Sequence, residues 1–268
     1  MSQVKDAKRI VVKVGTSTLT HATGKTNLRI ISRLAAVLSD LHNAGREVVL
    51  VSSGALAMGV NGLNLRERPK DTPSRQAAAA VGQCELMFLY DKYFGECGNT
   101  VGQLLLTRGD FTHGDRRANL LNTFSKLFEL GAIPIINEND SVSTEEIEGT
   151  RFGDNDNLSA LVARLIQADA LIFFTDTDGL YTANPVENDG ARLIPVVANI
   201  TDDILALGGS SGSSRGTGGM ITKLEAAKIA TEAGIDAVIL NGAAPEDLYQ
   251  LMDGRQIGTH FRRQEKSA

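Results

Sequence analysis

The chain has no tryptophan, two cysteines, four histidines and six prolines in 268 residues. Each scarcity excludes something. With aromatics at 5%, the stacking platforms that grip single-stranded nucleic acid are poorly supplied. A net charge of −5 argues against a general nucleic-acid or membrane-surface binder, which needs a basic footprint. No apolar run approaches the roughly 18 residues that a membrane-spanning helix requires. The N-terminal MSQVKDAKRIVVKV enters a strand pattern directly, without the apolar stretch of a signal peptide. Cys84 and Cys97, in an expected helix and the turn after it, read as reduced thiols of a cytoplasmic protein rather than as a disulfide. His21, His42, His113 and His260 show no metal-ligand spacing and are assigned to surface or structural roles. No side-chain metal site is expected.

What is present is alternation. Short β-branched runs at 9–14, 47–52, 100–107, 132–137, 170–175, 236–241 and 258–261 alternate with helical patterns. The helical patterns fall at 27–45, 73–96, 115–130, 157–168, 202–207, 220–233 and from Pro245 onward. The pattern at 27–45 puts Ile30, Ile31, Leu34, Leu38 and Leu41 on one face, with Asn27 as N-cap and Gly45 just past the end. Such alternation predicts an α/β fold with a mostly parallel sheet and helices on both faces. The unbroken apolar runs VVLV, IPII and LIFF agree, because strands covered on both faces need no polar positions. No internal repeat or composition shift marks a boundary, so residues 1–268 are expected to form one domain.

In parallel α/β sheets, ligands bind beyond the carboxyl ends of the strands. Those ends are polar and glycine-rich here: Lys13 inside the first strand with Gly15, Thr16 and Ser17 in the turn; Ser52, Ser53 and Gly54 after the second; Asn137, Glu138, Asn139 and Asp140 after the fourth; Thr175, Asp176, Thr177 and Asp178 after the fifth. Taken alone, a lysine at a strand end is ordinarily a snorkelling surface residue, and SSG is a turn and cap. Their accumulation at one sheet edge is the stronger argument.

Residues 208–223, GGSSGSSRGTGGMITK, read two ways: a flexible linker, or a backbone cradle for phosphate. No Walker A spacing fits. Gly216, Gly218 and Gly219 nonetheless let N–H groups approach an anion, a helix N-terminus follows, and Lys223 adds a full charge. The expected compromise is a flexible first half and a second half that orders on nucleotide as a lid. In GDNDNLSALVARL, Asp154, Asn155 and Asp156 precede a helix, where a cap needs only one of them. With Asn137 and Asp140 they can hold an ammonium group and a metal-bound phosphate.

VVKVGTS, VSSGA, INENDSV, GDNDNLSALVA, TDTDGLYTANP and GTGGMITKLEAA, in this order, resemble the glutamate 5-kinase family of the amino-acid kinase (carbamate-kinase-like) superfamily over about residues 9–260. The resemblance implies a three-layer αβα sandwich around a mostly parallel central sheet. It also implies transfer of phosphate from ATP, with Mg²⁺, to the γ-carboxylate of L-glutamate, the first step of proline synthesis. Carried over position by position, Lys13 and Lys223 match the lysines flanking the transferring phosphoryl group, and Asp156 the aspartate that organises them. Ser53, Asn137, Asp140, Asp154 and Asn155 fall on glutamate-site positions. Lys13, Gly15, Thr175, Asp176, Thr217, Gly218, Gly219, Met220, Ile221, Thr222 and Lys223 fall on nucleotide-site positions. The resemblance further implies a homo-oligomer and feedback inhibition by proline. Two departures stand out: the C-terminal PUA domain of many members is not expected here, and Arg151 stands where a lysine is expected before GDND.

The chemistry agrees with this reading. A carboxylate nucleophile with a reference pKa near 4.3 is ionised at neutral pH and needs no general base. The reaction needs relief of anion–anion repulsion and stabilisation of the transferring oxygens. Rivals remain open. Another kinase of the same fold would act on N-acetylglutamate, aspartate, carbamate or a nucleoside monophosphate, although the acid- and amide-rich loops suit an ammonium better than a phosphate. A non-catalytic nucleotide sensor would keep the pocket without turnover. A dinucleotide oxidoreductase is disfavoured because no G-x-G-x-x-G follows the first strand.

Overall fold

A computed structural model of the chain describes residues 3–143, 155–209 and 219–264. A 3₁₀ turn (Gln3–Asp6) leads into β1 (Arg9–Val14), α1 (Thr16–Leu19), α2 (Leu28–Asn43), β2 (Glu47–Ser52), α3 (Ala55–Gly62), α4 (Thr72–Glu96) and β3 (Val101–Leu106). Then come α5 (Gly109–Thr112), α6 (Gly114–Glu129), β4 (Ile133–Glu138), α7 (Asn155–Leu165) and β5 (Ala170–Thr175). The C-terminal third holds β6 (Val196–Val197), α8 (Asp202–Ala206), α9 (Met220–Glu232), β7 (Asp236–Asn241), α10 (Asp247–Met252) and β8 (Thr259–Phe261). Among the described residues no helix is long and apolar enough to cross a membrane.

The strands form one eight-stranded sheet in the order β3-β4-β2-β1-β5-β7-β8-β6. Every pairing is parallel except β7 with β8. The chain runs outward from β1 to one side through β2, then returns past β1 to lay down β5 on the other. That reversal opens a crevice at the carboxyl ends of the central strands.

Successive residues of the inner strands feed opposite faces. Ile10, Val12, Val14, Leu50 and Ile172 pack against α2, α4 and α10. Val11, Val49, Val51, Leu171 and Phe173 pack against α6, α7 and α9. Both faces being covered explains the continuous apolar runs, and the expected sandwich of helices, sheet and helices is observed. Lys13 shares the face of Val11, so it projects toward the layer that holds α7 and α9.

Helix boundaries follow local chemistry. The Asn27 side chain accepts from the Ile30 N–H at 3.2 Å, a cap of the kind contributing about 1 kcal/mol. Asp71 does the same for Ser74 at 2.9 Å, with Pro73 in the first turn of α4.

Several expectations are corrected. Asn155 and Asp156 form the first turn of α7 rather than preceding it, and the helix ends at Leu165, because Gln167 adopts a left-handed φ of 52°. The last helix begins two residues after Pro245, at Asp247. The helix α3 was not anticipated. It follows Gly54, whose φ of 111° is left-handed, and it lies in backbone contact with α4. A Cβ on Gly82 would sit 1.8 Å from the Ala55 carbonyl oxygen, and one on Gly59 would sit 1.6 Å from that of Ala78. Only glycine permits that approach.

Candidate active site

Three elements at the crevice converge on one carboxylate. Asp156, wholly buried in the first turn of α7, meets Lys13 Nζ of β1 at 2.7 Å through Oδ1 and Lys223 Nζ of α9 at 3.2 Å through Oδ2. Thr222 Oγ1 donates to the same Oδ2 at 2.7 Å. Lys223 also reaches the carbonyl of Gly219, the N-cap of α9, at 3.4 Å. Burial by itself would push the Asp156 carboxyl up. The charges of Lys13 and Lys223, with hydrogen bonds from Lys13 and Thr222, outweigh it and hold the group well below the usual carboxylate range. Two ammonium groups and one carboxylate sum to a net positive charge in a dry setting, which favours an arriving anion.

Two cavities flank this cluster. One, of about 430 Å³, is lined by Thr175, Asp176, Gly219, Met220 and Lys223, by the 179–187 segment, and by Leu207 to Gly209. The other, of about 340 Å³, is lined by Asn137, Asp140 and Asn155, by Gly54 to Ala57, and by the loop after α3. Ser17 lines the first cavity and its neighbour Thr16 the second, so the two adjoin at the turn after β1.

The wall of the second cavity is a hydrogen-bonded relay. Asn155 Nδ2 donates to Ser53 Oγ and to Asn137 Oδ1, both at 2.9 Å. Asn137 Nδ2 in turn donates to Gln83 Oε1 of α4 at 2.9 Å. Asn155 Oδ1 is buried and has no hydrogen-bond partner among the described residues. A buried acceptor left unsatisfied costs about 1–3 kcal/mol, which an ammonium donor entering the cavity would recover.

The structure therefore brings Lys13, Asp156, Thr222 and Lys223 into direct contact, and Ser53, Asn137 and Asn155 into a second group. Asp140 lines the cavity beside that group. Gly15, at the N-cap of α1, is close enough that a Cβ there would lie 3.7 Å from Lys13 Nζ. Ile221 packs its backbone against Gly208, where a Cβ would sit 2.8 Å from the Ile221 Cα. Asp154, Thr217 and Gly218, with Gly216 and Arg151, lie outside the described residues, as does most of the expected lid.

Sequence reasoning missed Gln83, whose only signal is one amide within the apolar AAAAVGQCELMF. It also missed Arg66 and Arg68, both lining the second cavity. Neither arginine sits in a recognisable motif.

A fold with a parallel sheet, a lysine–carboxylate–lysine cluster and adjoining cavities defines a phosphotransferase-like site, and the comparisons with known proteins agree. The chain belongs to the amino acid kinase family, whose model matches residues 8–241. It is similar to the glutamate 5-kinase of Clostridium perfringens, 51% identical over 259 residues that cover 96% of each chain. The glutamate 5-kinase of Listeria monocytogenes is 51% identical over 96% of this chain and 94% of that relative. The Moorella thermoacetica glutamate 5-kinase is 51% identical over 99% of this chain and 69% of its own length. In fold, the chain resembles a UMP kinase from Bacillus anthracis with a TM-score of 0.64 at 16% identity, covering 97% of both chains. A T. acidophilum isopentenyl phosphate kinase gives a TM-score of 0.59 at 18% identity, over 95% of this chain and 100% of that one.

Proposed function

We propose that the chain is a kinase that transfers the γ-phosphoryl group of ATP to the γ-carboxylate of L-glutamate. The products are ADP and L-glutamyl 5-phosphate, in the first step of proline biosynthesis. The observation that carries this reading is the Lys13–Asp156–Lys223 cluster between two adjoining cavities, in a chain 51% identical to a glutamate 5-kinase over 96% of its length.

In this reading ATP occupies the cavity lined by Thr175, Asp176, Gly219, Met220 and Lys223, and glutamate the cavity lined by Asn137, Asp140 and Asn155. The glutamate carboxylate attacks in line and needs no base, because it is already ionised. Lys13 and Lys223 reduce the repulsion between nucleophile and phosphoryl group and stabilise the charge on the transferring oxygens. Asp156 holds both lysine side chains in position. The free Oδ1 of Asn155 and the carboxylate of Asp140 accept from the α-ammonium group.

Magnesium fits this site as a companion of the nucleotide. It keeps several waters, binds phosphate oxygens and needs only one or two carboxylates, and Asp156 is already held by two lysines. Bound, it would neutralise charge on the phosphate oxygens.

A cytoplasmic setting and a homo-oligomer belong to the same reading. The exposed side chains of Val81 and Phe88 on α4 give a second copy an apolar surface to cover. Feedback by proline would follow from its sharing an ammonium and an α-carboxylate with glutamate.

The test is ADP release with Mg-ATP and L-glutamate, beside aspartate, N-acetylglutamate and no acceptor, with hydroxylamine trapping acyl phosphate as the hydroxamate. Glutamate-dependent release with trapped hydroxamate is expected. ATP binding without turnover of any acceptor would reject the kinase reading in favour of a sensor.

A further inference from the structure

Glutamate carries three charges, and the residues assigned above serve two of them. The reacting carboxylate goes to the lysine cluster, and the ammonium goes to the acid and amide wall of Asn137, Asp140 and Asn155. The Asp140 carboxylate in that wall would repel the remaining α-carboxylate. A cation elsewhere on the same cavity would answer it and favour an amino acid with two carboxylates over one with a single carboxylate.

The loop joining α3 to α4 supplies two. Arg66 and Arg68 both line the acceptor cavity, beside Leu65. An exposed arginine is ordinarily a solvated surface group, and several arginines of this chain are tied to the protein instead. Arg33 pairs with Glu246, and Arg9 with Glu47 at 2.5 Å. Arg66 is exposed and makes no hydrogen bond or ion pair among the described residues, whereas Arg68 already has a polar or electrostatic partner in the chain; both nonetheless line the cavity. The loop is held there because α3 and α4 touch backbone to backbone at Gly59 and Gly82, which fixes both ends of the segment that carries the arginines.

Resting on the glutamate reading, we infer that Arg66 and Arg68 form the α-carboxylate subsite of the acceptor cavity and act as its specificity determinants. A guanidinium offers paired N–H groups that match a carboxylate in geometry as well as charge. The cavity then has two walls of opposite character, one for the ammonium and one for the carboxylate, as binding a zwitterion demands.

The experiment uses the full chain with Arg66→Ala, Arg68→Ala, the double variant and Arg66→Lys. It measures glutamate kinetics together with competitive inhibition by two analogues. Glutarate lacks the ammonium, and 4-aminobutyrate lacks the α-carboxylate. The double variant is expected to raise KM for glutamate about 10- to 100-fold, the range of one charge-assisted contact, with kcat within about threefold. Glutarate inhibition should weaken by the same factor while inhibition by 4-aminobutyrate stays unchanged, and Arg66→Lys should recover part of the loss. An unchanged KM in the double variant would overturn the inference. So would equal weakening by both analogues, since that marks a general disturbance of the cavity. Thermal unfolding of each variant checks that the loop change leaves the fold intact. Failure of the glutamate reading looks different, because the unmodified chain would then show no glutamate-dependent turnover at all.

Discussion

Lys13 Nζ and Asp156 Oδ1 lie 2.7 Å apart in a setting where the carboxylate is wholly buried and the lysine nearly so. One belongs to the central strand, the other to the first turn of a helix that packs over it. The same carboxylate also holds Lys223, which lines the first cavity.

Replacing Lys13 or Lys223 by alanine is expected to lower kcat about 10²-fold or more, with a smaller change in KM for glutamate. In the proposed mechanism both ammonium groups act on charge that develops during transfer rather than on the resting acceptor. Steady-state kinetics at saturating ATP reads this directly. A Lys223→Ala enzyme with wild-type turnover would remove the lysine from the mechanism.

Asp156 carries a pH signature. Its carboxyl is held well below the usual range in the folded chain, so the unfolded state binds the extra proton first. The stability it contributes is fully present above the unfolded value of about 3.9 and is lost as pH falls through the folded value. Asp156→Asn should therefore be less stable than wild type at pH 7 and pH 5 by the same margin, with the gap closing only below about pH 4. Denaturant unfolding at pH 7, 5 and 3 measures it. A gap that narrows between pH 7 and pH 5 would contradict the depressed carboxyl.

Asn155→Ala removes the buried free acceptor and the link to Ser53 and Asn137. It should raise KM for glutamate about tenfold while leaving KM for ATP near wild type. Gln83→Ala, which frees the Asn137 amide, should have the same sign and a smaller size, because Gln83 acts through Asn137. Equal effects on both substrates would place the relay outside the acceptor site.

Gly82→Ala is expected to destabilise the chain by about 1–3 kcal/mol or more. Its new methyl would meet the Ala55 carbonyl at 1.8 Å, and α3 would have to move away from α4. Since α3 and the loop after it line the cavity proposed for glutamate, KM for glutamate should rise together with the fall in Tm. An unshifted Tm would mean that the two helices separate without cost.

Much of this molecule was legible in the chain. The runs RIVVKV, EVVLVS and ALIFFT became β1, β2 and β5 with the expected residues, because a strand buried on both faces must be continuously apolar. The cap at Asn27 was readable because it is a local hydrogen bond. The helix α3 was not, since what holds it is the close backbone approach of Gly59 to Ala78 on α4, which no local signal in the chain shows. Gln83, Arg66 and Arg68 escaped for the same reason, as nothing near them in the chain says what they face.

The sequence by itself determined the alternating elements, the polar strand ends and the residue types the chemistry needs. Local periodicity and residue chemistry act over a few neighbours, so they survive in one dimension. Only the tertiary structure decided that Lys13 and Lys223 would share the carboxylate of Asp156, and that Thr16 and Ser17 would face different cavities. Charge pairing depends on distance through space, and that distance is set by which sheet face a strand residue takes and by which helices pack over it.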